Sequence, residues 1–132
     1  MADTTDDTII SLLKQDGRMP FVDIAKAIGL TEGAVRARVS KLRKKGSIRR
    51  FTVDTKDDVK AIVLIATSRS VSTTIVANAI KKLGIDKTYE ISGNFDIVCL
   101  IESNSIEDVN STVERIRALN GVTDTSTSLV LK

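Results

Sequence analysis

Two short segments that are apolar at every position constrain the fold of this 132-residue chain more than any other feature. They span residues 61–66 and 97–101. Successive side chains of a strand point to opposite faces of the sheet, so these segments predict strands with an apolar residue on both faces. A soluble chain rarely leaves a large apolar patch in water. Both faces of the predicted sheet therefore need a cover.

The pattern around these segments predicts a β-α-β-β-α-β order in the C-terminal two thirds of the chain. Strands are predicted over residues 61–67, 95–102 and 127–131, which are rich in Ile, Val and Leu. A fourth strand is predicted over residues 88–92, which the hairpin-type turn Ser92-Gly93-Asn94 separates from the strand that follows. Helices are predicted over residues 73–83 and 106–119, the second with Ser105 as its N-cap. This order gives an antiparallel sheet with both helices on one face. We expect the sheet of a second copy to cover the other face, which makes the chain a homodimer.

The N-terminal third predicts three helices. Apolar stripes at helical spacing run through residues 8–15, through the stretch from Pro20 to Gly29, and from an N-cap at Thr31 to Gly46. The short turn Gly29-Leu30 between the second and third helices is typical of a helix-turn-helix, whose second helix enters the major groove of DNA. A short strand is predicted to follow, through Ile48, Phe51 and Val53.

The charge distribution indicates which part of the chain meets a polyanion. Residues 1–50 carry 11 Lys and Arg against 6 Asp and Glu, whereas residues 51–132 carry 9 against 11. A basic block on and after a recognition helix favours binding of double-stranded DNA. Residues near the start of that helix are expected at base edges and later ones at phosphates. The predicted DNA-binding residues are Thr31, Glu32, Gly33, Arg36, Ala37, Ser40, Arg43, Lys44, Lys45, Arg49 and Arg50.

Arg38 has two interpretations that the sequence does not separate. It lies beside Val39, close to the buried stripe of the third helix. It is either a partner in a structural ion pair or a further DNA contact.

Composition excludes several other functions. The chain has no His and one Cys, so it lacks the commonest metal ligand and general base and allows no internal disulfide. We expect no catalytic residues, no metal and no cofactor. Aromatic residues are too few for base stacking on single strands. No apolar run approaches the ~20 residues of a membrane span, and residues 1–7 are acidic, unlike a secretory signal. A cytoplasmic location without membrane contact is expected.

The chain resembles the Lrp/AsnC family of transcription regulators, also called feast/famine regulators, and is most similar to its short archaeal members. The resemblance covers residues 6–132 and rests on the order and spacing of many short motifs. The N-terminal ones are Asp7-Thr8-Ile9-Ile10, Asp16-Gly17-Arg18, Ile24-Ala25, Gly29-Leu30-Thr31, Val35, Arg38-Val39, Leu42 and Gly46-Ser47-Ile48. The C-terminal ones are Gly93-Asn94-Phe95-Asp96, Gly121-Val122 and residues 125–132.

The resemblance implies a two-domain α+β architecture. Residues 1–50 would form a winged helix-turn-helix, residues 51–60 a hinge strand and linker, and residues 61–132 a ferredoxin-like effector-binding and oligomerisation domain. Dimers would form through the sheets and assemble into octamers, with an amino acid bound between dimers. The linker departs from the family pattern, because no Leu-Gly follows the hinge strand.

The resemblance also locates the effector site on two segments. They comprise Tyr89, Ile91, Ser92, Gly93, Asn94, Phe95 and Asp96, and then Thr125, Ser126, Thr127 and Ser128. The chemistry suits an amino acid, because backbone N–H groups of a Gly turn bind a carboxylate and Asp96 can accept from an ammonium group. Gly93 and Asp96 are equally ordinary residues for a tight turn. The polar character of the segments favours glutamine, and nearby Glu90 and Glu102 make lysine or arginine the next choice.

Two other functions fit this two-domain architecture. One is an architectural DNA-binding protein that needs no effector. The other is a decarboxylase acting on a haem precursor, which the absence of His disfavours.

Overall fold

The computed structural model describes residues 3–56 and 59–132. The chain forms two compact units, and the boundary along the sequence falls between Asp54 and Thr55. Asp57 and Asp58, in the predicted linker, lie outside the described residues, as do Met1 and Ala2. No helix among the described residues is long and apolar enough to cross a membrane.

The N-terminal unit consists of three helices, α1 (Thr4–Gln15), α2 (Phe21–Ile28) and α3 (Glu32–Lys44). The predicted cap at Thr31 is confirmed, since its side chain accepts a hydrogen bond from the amide of Ala34. Gly29 ends α2 in the left-handed conformation, with φ of +73°, which costs glycine nothing. The first helix begins earlier than predicted, because Asp3 caps it and Asp6 and Asp7 stabilise its first turn. The unit's buried core comprises Ile9, Ile24, Ala25, Val35 and Val39.

The predicted strand after α3 is wrong. The described residues from Ile48 to Val53 form no strand, and Phe51 and Val53 are exposed. A strand is stable only when a neighbour pairs with its backbone groups, and no described segment of this chain pairs with this one. Instead, the side chain of Arg43 donates to the carbonyls of Ile48 and Arg49.

The C-terminal unit has the predicted element order: β1 (Val59–Thr67), α4 (Thr73–Lys82), β2 (Thr88–Glu90), β3 (Ile97–Ser103), α5 (Ile106–Arg117) and β4 (Val122–Leu129). The sheet is antiparallel throughout, in the order β2-β3-β1-β4. All four strands differ in their bounds from the prediction, β1 and β3 by one or two residues at an end and β2 and β4 in ways that affect the predicted effector segments. β2 ends at Glu90, so Ile91 and Ser92 belong to the loop, and β4 begins at Val122 and not at Thr127. The start of β4 was not predicted because its Thr and Ser residues lie on an edge strand, where apolar and polar residues do not have to alternate.

The two faces of the sheet differ as the apolar segments predict. Ala61, Val63 and Ile65 of β1 are fully buried in the same cluster as residues of α4 and α5. The residues between them, Ile62 and Leu64, point to the opposite face, and Ile62 is 42% exposed. Directly paired residues share a face, so Val98 and Leu100 of β3 and Tyr89 of β2 lie beside them. We call this apolar surface, comprising Ile62, Leu64, Tyr89, Val98 and Leu100, the open sheet face.

Cys99 lies on the helix-covered side of β3 and is fully buried. Burial raises the pKa of its thiol to about 11, because the thiolate is poorly solvated there. The side chain therefore acts as a small apolar residue of the core.

Gly121, just before β4, generates a testable prediction about packing. Its φ is +93°, and a Cβ atom there would lie 3.0 Å from Val71 Cβ and 3.0 Å from Val76 Cγ2. Gly84 has a similar φ of +94° with nothing within 4 Å. We expect Gly84→Ala to lower the free energy of unfolding by about 1 kcal/mol through backbone strain. Gly121→Ala should cost about 1–3 kcal/mol more, through overpacking. Chemical denaturation of both variants measures the difference, and equal losses would contradict the packing argument.

Candidate nucleic-acid interface and ligand site

The outward face of α3 carries the predicted DNA-contacting residues. Those on the helix and its cap are exposed: Thr31, Glu32, Gly33, Arg36, Ala37, Ser40, Arg43 and Lys44. The buried stripe of the same helix, Val35, Val39 and Leu42, holds it against the rest of the unit. Lys45, Arg49 and Arg50 follow and are also exposed. The basic block therefore lies on the surface of the N-terminal unit. Its arginines differ in the contacts that they make within the protein.

Arg36, near the start of α3, has two partners. Its Nη2 atom donates to Oε1 of Glu32 at 2.6 Å, one helical turn earlier. Its guanidinium also lies over the ring of Phe21, 5.4 Å from the ring centroid, which is a cation–π distance. Both Arg36 and Glu32 remain at least half exposed. Phe21 could not be predicted as a partner of Arg36, because helix periodicity relates residues one turn apart and not residues on different helices.

Arg43 is engaged at the other end of α3. Its Nη1 atom donates to the carbonyl oxygens of Ile48 and Arg49, and its guanidinium lies over the Phe51 ring at 5.8 Å. These contacts fix the chain where it leaves α3. Arg43 was predicted to contact phosphate. In this structure it hydrogen-bonds the backbone after α3, in the segment that contains Arg49 and Arg50.

Arg38 is the structural ion-pair partner that one interpretation of the sequence expected. Its Nη1 atom donates to Asp3 at 2.8 Å and to Asp6 at 3.1 Å. The hydrogen bond from Arg38 holds the pKa of Asp3 below its usual value, and the bond to Asp3 raises the pKa of Arg38 further. The pairs join the start of α1 to α3, although exposed pairs of this kind add little stability.

The loop between β2 and β3 contains most of the predicted effector residues. It is closed by a 2.9 Å hydrogen bond from the amide of Ile91 to the carbonyl of Asp96. Gly93 has φ of +119°, a conformation that other residues rarely adopt. Ser92, Gly93 and Asn94 are exposed, and Phe95 is half-buried. The amides of Gly93 and Asn94 donate no hydrogen bond to a described residue. They are therefore free to receive an anionic group.

Asp96 has a structural role that the sequence did not specify. Its Oδ2 atom accepts from the amide of Thr67 at 2.8 Å and from the Thr67 hydroxyl at 3.2 Å. These bonds fasten the loop to the end of β1. The other carboxylate oxygen, Oδ1, accepts from no described residue. Thr67 is part of this arrangement, and sequence reasoning missed it because the two residues lie 29 positions apart.

The second predicted effector segment lies on β4, and β1 separates it from the loop. Ser126 pairs with Leu64 and Ser128 with Ile62, so both serines lie at the edge of the open sheet face. Thr125 and Thr127 pair with Ile65 and Val63 and share the helix-covered side. Neighbouring strands are about 4.8 Å apart, so β4 lies about 10 Å from β3 and about 14 Å from Tyr89 on β2. One chain does not bring the two segments together around a single small molecule.

The acidic residues that made lysine or arginine plausible effectors already have partners. Oε1 of Glu90 accepts from the hydroxyl of Thr74 at 2.9 Å. Oε1 of Glu102 accepts from Nζ of Lys87 at 2.9 Å. Of the two, only Glu102 is paired with a cation, whereas Glu90 accepts from a neutral hydroxyl.

Comparisons with known proteins cover both units. The AsnC-type helix-turn-helix domain matches residues 3–43, and the Lrp/AsnC ligand binding domain matches residues 60–132. The HTH-type transcriptional regulator LysM of Sulfurisphaera tokodaii is 35% identical over 133 residues, which cover 98% of this chain and 95% of that protein. The HTH-type transcriptional regulator FL11 of Pyrococcus abyssi is 33% identical and covers 98% of this chain and 89% of its own length.

The fold is also found in solved structures. The crystal structure of the Mycobacterium tuberculosis leucine response regulatory protein (LrpA) matches with a TM-score of 0.77 and 22% sequence identity. The match covers 99% of this chain and 93% of that chain.

Proposed function

We propose a mechanism for this chain, which belongs to the Lrp/AsnC family of DNA-binding transcription regulators and carries that family's ligand-binding domain. The chain is a regulator and not an enzyme. In the mechanism, a homodimer binds double-stranded DNA through α3 of each copy. An amino acid then binds where copies meet and shifts the equilibrium between assemblies of different operator affinity.

The exposed basic face of α3 is the observation that carries the DNA-binding mode. Residues at the start of the helix, from Thr31 to Ala37, are proposed to face base edges in the major groove. Lys44, Lys45, Arg49 and Arg50 are proposed to contact phosphates, since they are exposed and lie beyond the first turns of the helix. Arg43 is proposed to support this set by holding the segment that carries the two later arginines.

The open sheet face supports the homodimer. It is apolar across three adjacent strands, and both helices of the unit lie on the opposite face. Packing the same face of a second copy against it would remove this surface from water and satisfy two-fold symmetry. Two copies also place two recognition helices on two half-sites. Assembly of dimers into an octamer is part of the proposal and rests on the family resemblance.

The effector site is proposed to use the loop of one copy, with the remaining contacts coming from another copy. The free amides of Gly93 and Asn94 suit the effector carboxylate, and Oδ1 of Asp96 suits its ammonium group. The hydroxyl groups of residues 125–128 are too far from the loop of their own chain to contact the same ligand. They are therefore assigned to the ligand that is bound by the loop of a neighbouring copy. Glutamine is the preferred effector because the two segments are rich in hydroxyl and amide groups and Glu102 already pairs with Lys87.

The phosphate contacts can be tested by the salt dependence of DNA binding. We expect Lys44→Ala to reduce the slope of log K against log salt concentration by about 1, because one released counterion is lost. A duplex of arbitrary sequence is a sufficient probe. Lys81→Ala, in the last turn of α4, is the matched control and should leave the slope unchanged. Equal effects of the two substitutions would contradict the assignment of the basic face.

The dimer interface can be tested with a buried charge. Leu64→Glu places a carboxylate in the middle of the open sheet face, where a partner would desolvate it. An unpaired buried charge costs roughly 3–5 kcal/mol, so the dimer should weaken by about two orders of magnitude or more. Sedimentation at micromolar concentration should detect monomers. Ile75→Glu, on the exposed side of α4, makes the same change and should leave the dimer intact. A dimer that tolerates Leu64→Glu would place the interface elsewhere.

The effector can be identified by thermal melts against each standard amino acid at millimolar concentration. A ligand that binds only the folded protein raises its stability, by about 2.7 kcal/mol at about 100 times its Kd. We expect a selective rise with glutamine. Asp96→Asn can keep an oxygen on Thr67 but replaces the free carboxylate oxygen Oδ1 by an amide donor, so it should abolish the rise. Glu107→Gln, in the exposed first turn of α5, should preserve the rise. No rise with any amino acid would favour an effector-independent architectural DNA-binding protein.

A further inference from the structure

The guanidinium of Arg36 is held in place before any DNA is bound. The guanidinium lies over the ring of Phe21, with Cζ 5.4 Å from the ring centroid, and Glu32 accepts from one of its amino groups. Phe21 is itself half-buried and packs against the N-terminal core, so the ring does not move freely. An arginine side chain normally loses much rotational freedom when it binds, and an arginine that is already oriented loses less.

These contacts leave the hydrogen-bonding edge of Arg36 available. The cation–π attraction of the ring acts on the charge of the guanidinium and does not require its N–H donors, which remain the groups that form hydrogen bonds. Arginine has five N–H donors, and Glu32 occupies one of them. The remaining donors can form the bidentate pair with O6 and N7 of guanine, which is the commonest specific contact of arginine in the major groove.

Glu32 indicates that this arginine meets a base and not a phosphate. A carboxylate 2.6 Å from the guanidinium would repel a phosphate, since both carry negative charge. Base edges carry no net charge, and a carboxylate beside them can accept from the amino group of cytosine. The sequence from Arg36 to Arg50 contains no Asp or Glu, which suits the cations at the end of α3 to phosphates.

We propose that Arg36 reads a guanine in the operator and that Phe21 and Glu32 are positioning residues that orient it for this contact. The inference rests on the proposed mode of DNA binding and adds which base is read and what prepares the side chain that reads it. Phe21 contributes through the orientation of Arg36 and has no direct contact with DNA.

The experiment begins with selection from a library of double-stranded DNA with a randomised central segment. Wild-type protein should enrich a site with a fixed guanine. Its affinity for the enriched duplex and for duplexes with each other base at that position then gives a discrimination ratio. We expect Arg36→Lys to lower this ratio by roughly tenfold, since lysine keeps the charge but not the bidentate geometry. Phe21→Leu should lower it by about two- to fivefold, the range expected for an exposed cation–π contact.

Three further measurements separate positioning from a general structural role. Phe21→Tyr keeps an aromatic face and should restore most of the discrimination that Phe21→Leu loses. The salt slope should be the same for wild type, Phe21→Leu and Phe21→Tyr, because no phosphate contact changes. Glu32→Gln should lower discrimination, whereas Glu114→Gln, which breaks the exposed Glu114–Arg117 pair of α5, should not.

Several outcomes would overturn the inference. Discrimination that survives Arg36→Lys, an exposed substitution with little effect on folding, would exclude Arg36 as the reader of guanine. Equal losses for Phe21→Leu and Phe21→Tyr would make the ring a packing residue only. If wild-type protein binds DNA but enriches no sequence, the guanine contact fails and DNA binding itself stands. If it binds no duplex at all, the proposed function fails as well.

Discussion

The central strand β1 is the constraint on which the C-terminal unit depends. It pairs with β3 on one side and β4 on the other. Directly paired residues lie on the same face of the sheet, so the face of each β1 residue is also the face of its partners on β3 and β4. The side chains of Ala61, Val63 and Ile65 lie with those of their partners on the helix-covered face, and burial of these side chains holds α4 and α5 against the sheet. The side chains of Ile62 and Leu64 lie with those of their partners on the open sheet face. A shift of one residue in the pairing of β1 would exchange the two faces.

The same alternation links folding to the proposed regulation. Ile62 and Leu64 pair with Ser128 and Ser126 on β4. At the end of β1, the amide of Thr67 donates to Asp96 and so holds the loop between β2 and β3. A change in how copies meet at the open sheet face would therefore act directly on the hydroxyls and amides proposed for the effector. Ligand binding and assembly would be thermodynamically linked through one strand.

Sequence patterns predicted what depends on local periodicity and missed what depends on distant partners. The cap at Thr31 and the helix that follows Ser105 were predictable because capping acts within one turn. The strand through Ile48 and Phe51 was predicted from residue type, but strands need partners that residue type does not supply. The start of β4 was hidden because an edge strand of Thr and Ser has little apolar alternation.

The single thiol gives the chain an intrinsic reporter of its folded state. Because the pKa of Cys99 is raised to about 11 and the side chain is fully buried, almost no thiolate reaches solvent at neutral pH while the sheet is intact. Alkylating reagents would consequently modify only molecules whose C-terminal unit has opened. The rate of labelling would then measure how often that unit opens, and a bound effector would slow it in proportion to its occupancy.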